Sequence, residues 1–247
     1  MDTFPIDALR PGDLHYQLAG VSMSGGPTLV GPGQTAELAA GGWWEADLGF
    51  GSRFNPSRLR LIRAMLMRMA GGSAAVVMPF VDEPQAPWGE GQRPSRAVST
   101  PFSDGATFSD GSGWGTPLIR FHLESAIAEN DGEAILVRTR GGHPKAGMLF
   151  SLFHGYGPEK PGHRGYCLDR VETLGGDRYR VGFGPPARDS APAGAKAEFG
   201  KPLTTMRLAP GADNWPRISA GWKAASSMKF VEDFDYLQPG FDYQAAD

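Results

Sequence analysis

Glycine and proline content is the feature that most restricts the fold of this chain. The 247 residues include 35 glycines and 21 prolines, and these follow no Gly-X-Y period. In a helix interior a glycine costs about 1 kcal/mol relative to alanine and a proline about 3 kcal/mol, so a mainly helical protein is excluded. The interleaved apolar and aromatic residues argue against both collagen and disorder. We therefore predict a mainly β protein of short strands joined by many turns.

One segment, at about 56–70, predicts a single amphipathic helix. Asn55 is a favourable N-cap, Pro56 suits the first helical position, and Gly71-Gly72 is a stop signal. Five apolar side chains fall within about 120° of arc on this helix and are the predicted core anchors. They are Leu59, Ile62, Met65, Leu66 and Met69.

Alternation of apolar and polar residues predicts strands before and after the helix. A strand is centred on Tyr16, and residues 34–50 predict a hairpin that turns at Gly41-Gly42. Beyond the irregular stretch 82–117, which is a plausible domain boundary, the β pattern becomes clearer. Strands are predicted within 133–139, 147–155, 165–173, 178–183 and 197–209, the last as a pair broken by Pro202, while 118–126 fits a strand or a short helix.

Charge and cysteine content limit the function classes. A net charge of −3 argues against a general nucleic-acid binder, which needs a basic face. The four helix arginines (Arg58, Arg60, Arg63 and Arg68) spread around the cylinder and favour a solvated or subunit-facing surface. Cys167 is the only cysteine, which excludes an internal disulfide. The N-terminal residues do not resemble a signal peptide and the apolar runs are short, so we expect a protein made in the cytoplasm without a membrane span.

No motif in the sequence points to catalysis, a cofactor or a metal. The histidines (His15, His122, His143, His154 and His163) show no tight ligand spacing. A zinc site from His154, His163 and Cys167 is a weak alternative to scattered surface histidines and an inert buried thiol. The repeated Ser-Asp-Gly of 103–114 is more typical of turns than of a calcium-binding loop. We expect a protein that is not an enzyme.

Tryptophans among glycine-rich turns are the candidate interaction residues. They fit interface anchors, and the alternative is a platform on which sugars stack. The five are Trp43, Trp88, Trp114, Trp215 and Trp222.

The order of several segments resembles the distal tail protein of long-tailed bacteriophages and of related prophage or gene-transfer-agent tails. The first is a Gly-rich stretch running into a Trp-containing hairpin, GPTLVGPGQTAELAAGGWWEADL. Next comes the helix with a short apolar strand ending in proline, RLRLIRAMLMRMAGGSAAVVMP. Later segments are SDGATFSDG, MLFSLFHG and the Pro-Pro-x-Arg turn before Phe-x-x-Pro and an Arg-Leu strand. The chain departs from that pattern at Ala187, where an apolar residue of another kind is usual, and in the lengthened segment 154–165.

This resemblance implies a structural protein of the virion tail tip. It implies a homo-hexameric ring that joins the tail tube to the hub or baseplate and surrounds a channel for DNA or the tape-measure protein. The implied fold is a β-barrel or sandwich ring domain carrying the helix, at 1–97 with 209–247, and a second β domain at 98–208. A carbohydrate-binding accessory module of a virion or cell surface, using Trp114 or Trp222, is the alternative.

Overall fold

A computed structural model shows a mainly β protein, as predicted, with one long amphipathic helix. It describes residues 3–20, 22–24, 35–37, 41–50, 56–90, 98–100, 114–116, 118–155, 162–211, 214–219 and 223–234. In chain order the elements are α1 (Ile6–Leu9), β1 (Asp13–Ala19), β2 (Ser22–Ser24), β3 (Thr35–Glu37), β4 (Trp43–Phe50), α2 (Pro56–Arg68), β5 (Val76–Pro79), β6 (Val98–Thr100), β7 (Trp114–Thr116), β8 (Arg120–Leu123), β9 (Glu133–Arg140), β10 (Leu149–Phe153), β11 (His163–Gly175), β12 (Arg178–Gly184), β13 (Lys196–Glu198), β14 (Leu203–Leu208), β15 (Arg217–Ser219) and β16 (Lys223–Glu232).

The chain divides into two compact units, each made of segments that are separated in sequence. Unit 1 comprises Met1–Phe80, His154–Arg164 and Leu203–Asp247, and unit 2 comprises Val81–Phe153 and Gly165–Pro202. The division differs in detail from the one drawn from sequence. Residues 81–97 belong to unit 2, whereas 154–164 and 203–208 belong to unit 1.

Unit 1 is built on an antiparallel sheet in the order β1-β4-β16-β14-β5, with β15 paired to one end of β16. Strand β16, from the far end of the chain, therefore lies in the middle of the sheet beside strands from the N-terminal part. The described part of the C-terminal segment thus completes this sheet.

The predicted hairpin at 34–50 is wrong in its pairing. Strand β4 pairs with β1, and the short β3 pairs with β2. The hairpin therefore consists of two successive antiparallel ladders, β1–β4 and β2–β3. Gly41 and Gly42 adopt positive φ angles where the ladder is interrupted, and the chain reverses between Ser24 and Thr35. A double glycine is typical both of an interrupted ladder and of a turn, which is why the sequence pattern placed the turn at the wrong position.

Alternation along these strands separates an apolar face from a polar one. In β4, Trp44, Ala46 and Leu48 are buried, and each lies opposite an inward residue of β1. The inner aromatic rings make edge contacts, with centroids 4.9 Å apart for Tyr16–Phe80 and 5.0 Å for Trp44–Phe80. All five predicted core anchors are buried, at 2–8% exposure, four of them on α2 and Met69 directly after its end. Burial of side chains this large contributes roughly 1.5–3 kcal/mol each before entropy is counted.

Helix α2 ends at Arg68, earlier than the glycine pair implied. Ala70 has a positive φ of 45° and begins a 3₁₀ turn through Gly72. Gly72, at φ +102°, lies against the carbonyl oxygen of Leu208 at the end of β14, and an added Cβ would be 2.7 Å from that atom. This close approach fixes the end of the helix against the sheet. The proposed N-cap, Asn55, lies outside the described residues.

Unit 2 is a closed six-stranded barrel in the order β10-β11-β12-β9-β8-β13. The closed barrel thus lies in the unit without the long helix. Its interior is filled by aromatic rings, including the stacked pair Phe150–Phe199 at 5.4 Å. The strands on either side of Pro202 do not pair with each other, contrary to prediction, because β13 belongs to this barrel and β14 to the sheet of unit 1.

Gly72→Ala tests the close approach of the helix end to the sheet. An alanine at a positive φ costs about 1–2 kcal/mol, and overpacking against a fixed backbone oxygen adds about 1–3 kcal/mol. Gly71→Ala is the matched control, since Gly71 also has a positive φ (+69°) but its added Cβ meets nothing within 4 Å. We expect denaturant unfolding to show a larger loss for Gly72→Ala, and equal losses would contradict this packing.

Candidate subunit interface

The main sheet of unit 1 is open, whereas the main sheet of unit 2 closes into a barrel. A closed barrel has no edge, whereas an open sheet presents unpaired N–H and C=O groups along its outermost strands. At one edge of the sheet in unit 1, β5 is covered by an N-terminal residue, because Thr3 forms a bridge with Val77 and the Phe4 N–H donates to the Val77 oxygen at 2.8 Å. At the other edge, seven-residue β1 pairs only with β4 among the described residues. Strand β1 is the edge available for association.

The outward face of the same sheet is polar and carries carboxylates. Asp13, Glu45 and Asp47 share this face of β1 and β4, and the only basic side chain bonded to them among the described residues is Lys229 of β16, 3.7 Å from Asp47. Glu45 accepts a hydrogen bond from Gln17 at 2.7 Å and one from the Trp43 indole N–H at 3.0 Å. Glu45 is thus held in position by neighbouring side chains.

An apolar groove lies where helix α2 ends beside β14. It has a volume of about 420 Å³. Met67 is 69% exposed here and Trp215 is 54% exposed, and Leu66, Leu208 and Ala209 also line the groove. The position of Trp215 is fixed through the preceding residue, because the Asn214 side-chain oxygen accepts a hydrogen bond from the Lys229 N–H at 3.0 Å. Two large apolar side chains this exposed and this close together are typical of an interaction surface.

A buried ionic network joins the three chain segments of unit 1. Arg164 is fully buried and donates to Glu232 at 3.3 Å, to the Thr205 carbonyl at 3.3 Å and to the Asp233 carbonyl. The other Glu232 oxygen accepts the Trp44 backbone N–H at 3.1 Å. Trp44, Arg164 and Glu232 each come from a different segment, so this pair fixes how the segments assemble.

The structure does not place the predicted interface tryptophans on one surface. Trp215 lines the apolar groove. Trp43 is 37% exposed on the polar sheet face, against Gly20, and Trp88 packs partly buried against the core of the barrel. The side chain of Trp114, the whole of Trp222 and most of 103–114 lie outside the described residues. Trp43 and Trp215 lie in unit 1, on different surfaces.

The shifted pKa values of His163 and Cys167 favour the neutral forms of both groups. Burial, and then the charge of His154, lowers the pKa of His163. Burial, followed by Asp169, raises the pKa of the half-buried Cys167 thiol, which makes it a poorer nucleophile. Among the described residues no group of three or more His, Cys, Asp or Glu side chains is placed to hold a metal ion.

No family model matches the chain, and a comparison with curated proteins finds no match. In the part of the chain that the structure describes, no helix has the length and apolar character needed to cross a membrane. The interpretation of the surfaces therefore depends on their geometry and on the resemblance seen in the sequence.

Sequence reasoning missed the network around Arg164 and the carboxylate face. The face was detectable, because Asp13, His15 and Gln17 alternate with apolar residues, as do Glu45 and Asp47. The network was not, since its members are far apart in sequence and each is an ordinary charged residue on its own.

Arg164→Met tests the buried network. Removing one partner of a buried ion pair costs about 3–5 kcal/mol, because the other charge stays buried without compensation. We expect urea unfolding to show a loss of that size. The matched control is Arg180→Met in the exposed Arg180–Glu172 pair, where about 0–1 kcal/mol is expected. Similar losses in the two variants would show that the network does not stabilise unit 1.

The lowered pKa of His163 predicts that the free energy of unfolding depends on pH. Its pKa in the folded protein is below the ordinary 6.5, so the folded state favours the neutral ring and protonation favours unfolding. The stabilisation is present above pH 6.5 and is lost as the pH falls through the folded-state pKa. Chemical unfolding at pH 7 and pH 5 is expected to show a larger decrease for the wild type than for His163→Asn. An identical decrease in both proteins would count against this assignment.

Proposed function

We propose that this chain is a structural subunit of a virion tail tip, forming a ring that joins the tail tube to the hub or baseplate. The observation that carries the proposal is that, among the described residues, the main sheet of unit 1 has an open edge at β1 whereas the main sheet of unit 2 closes into a barrel. An open edge can be completed by a neighbouring protomer, and the barrel offers no such edge. The resemblance of the ordered sequence segments to distal tail proteins supplies the biological setting.

A ring requires contacts between two different surfaces of each protomer. Heterologous contacts of this kind close into a ring when their rotation is a simple fraction of a turn. Unit 1 offers distinct candidates for the two sides, namely the β1 edge and the groove with Trp215 and Met67. The expected number of protomers, six, comes from the resemblance.

The carboxylate face of the sheet suits the lining of a channel for DNA. Asp13, Glu45 and Asp47 are on this face, and negative charge gives no counterion-release gain on contact with phosphates. DNA that passes through a tail binds less to such a lining than to a basic one. The partners of the proposed ring are the tail tube, the hub and the DNA or tape-measure protein inside.

Carbohydrate binding stays the alternative prediction. It assigned the sugar platform to Trp114 or Trp222, and both side chains lie outside the described residues. A glycan array with the wild type and the two Trp→Ala variants separates the proposals, because specific binding lost in a variant would favour the sugar-binding module.

The oligomeric state tests the proposed function. We expect light scattering or native mass spectrometry to give a species of six times the 26.4 kDa chain mass, alone or with the tube or hub proteins. Electron microscopy of that species is expected to show closed rings. A chain that stays monomeric at high concentration and with both partners would contradict the proposal.

A further inference from the structure

The exposed side of helix α2 carries positive charge toward the apolar groove. Arg60, Arg63 and Met67 are exposed and lie within about 60° on one side of the helix at 100° per residue. The helix contains four arginines and no acidic residue. The Arg60 guanidinium bonds to Pro56 and Ser57 at the start of the helix, whereas Arg63 lies one turn before Met67. The groove with Trp215 thus has Arg63 as a cationic neighbour, which favours an acidic segment with large apolar side chains as its occupant.

The C-terminal segment of this chain has that composition. Residues 235–247 read DYLQPGFDYQAAD and contain three aspartates, no basic residue and the apolar or aromatic residues Tyr236, Leu237, Phe241 and Tyr243. The charge of this segment is thus complementary to Arg63, and its apolar character is complementary to the groove.

The direction of β16 favours the groove of another copy over the groove of the same copy. Strand β16 is antiparallel to β14, with Phe230 opposite Leu208 and the Asp233 N–H bonded to the Thr205 oxygen. The groove lies beyond Leu208, at the other end of β14. At about 3.3 Å per residue, the chain at Phe234 is roughly 13 Å past Leu208 and is running away from its own groove.

We propose that residues 235–247 of one copy occupy the Trp215–Met67 groove of a neighbouring copy. The donated segment and the receiving groove are different surfaces, so each copy gives one contact and receives one, as a closed ring requires. This inference rests on the proposed function, for which it names the contact between neighbours. Its chemistry is apolar burial against Trp215 combined with attraction between aspartates and Arg63.

Binding of the isolated segment is the first test. A fluorescent peptide of residues 235–247 is titrated into the chain ended after Phe234, with fluorescence anisotropy as the readout. We expect saturable binding that Trp215→Ser weakens at least tenfold, that Arg63→Glu also weakens, and that Trp43→Ser changes less than twofold. Circular dichroism checks that each variant is folded. Absence of saturable binding, or binding that is unchanged by Trp215→Ser, would overturn the inference.

A mixing experiment then separates exchange between copies from docking within one copy. The chain ended after Phe234 keeps its groove, and the full chain with Trp215→Ser keeps its segment. Exchange predicts that the two associate one to one by light scattering although neither forms a ring alone. Peptide binding without this association would overturn exchange.

The same proteins distinguish an error in the proposed contact from an error in the proposed ring function. Rings with the wild-type number of protomers formed by the chain ended after Phe234 would overturn the inference and leave the ring function standing. One-to-one association in the mixture, with a wild-type chain that never closes a ring with tube and hub proteins, would support the contact and overturn the proposed function.

Discussion

The buried pair of Arg164 and Glu232 is the interaction on which unit 1 depends. Unit 1 is assembled from three stretches of sequence, and the pair with its hydrogen bonds touches all of them, through Trp44, Arg164 and Glu232. A charge inside a protein is tolerated only when its partners are in place, so the network penalises any other register of β16 against β4 and β14. Phe234 adds its ring, 5.5 Å from the Arg164 guanidinium, at the point where the strand ends.

The two units therefore differ in the surfaces that they offer for contacts. Strand β16 fills the centre of the sheet in unit 1, which leaves β1 as its open edge and holds the carboxylates of β1 and β4 on one face. The barrel of unit 2 closes on itself around its aromatic core and needs no further strand. The exposed groove beside β14 also belongs to unit 1. The β1 edge and the groove, the two surfaces suited to contact between copies, are therefore both in the unit whose segments the buried pair holds together.

Local features of the fold were predictable from sequence and long-range ones were not. The spacing of Leu59, Ile62, Met65, Leu66 and Met69 is a property of one helix, and the structure buries all five. Strand pairing needs information about residues far apart in sequence. Gly41-Gly42 marks a break in a ladder as well as it marks a turn, and Pro202 separates strands of two different units.

The same distinction holds for the candidate interface. Trp215 could be named from its glycine-rich surroundings, but Met67 joins it only because the Gly72 turn brings the helix end to Leu208. Trp88 has similar surroundings in sequence and instead packs against the barrel core. Composition shows which side chains are suited to contacts, and the tertiary fold determines which of them are left exposed.

Hydrogen–deuterium exchange on β1 tests the central claim most directly, since the claim is that this edge is completed by another copy. Exchange is measured on the dilute monomer and on the largest assembly formed with the tube and hub proteins. The account predicts that amides of Asp13–Ala19 gain protection in the assembly while those of the barrel strands β9 and β12 do not change. Equal exchange of Asp13–Ala19 in both states would contradict it.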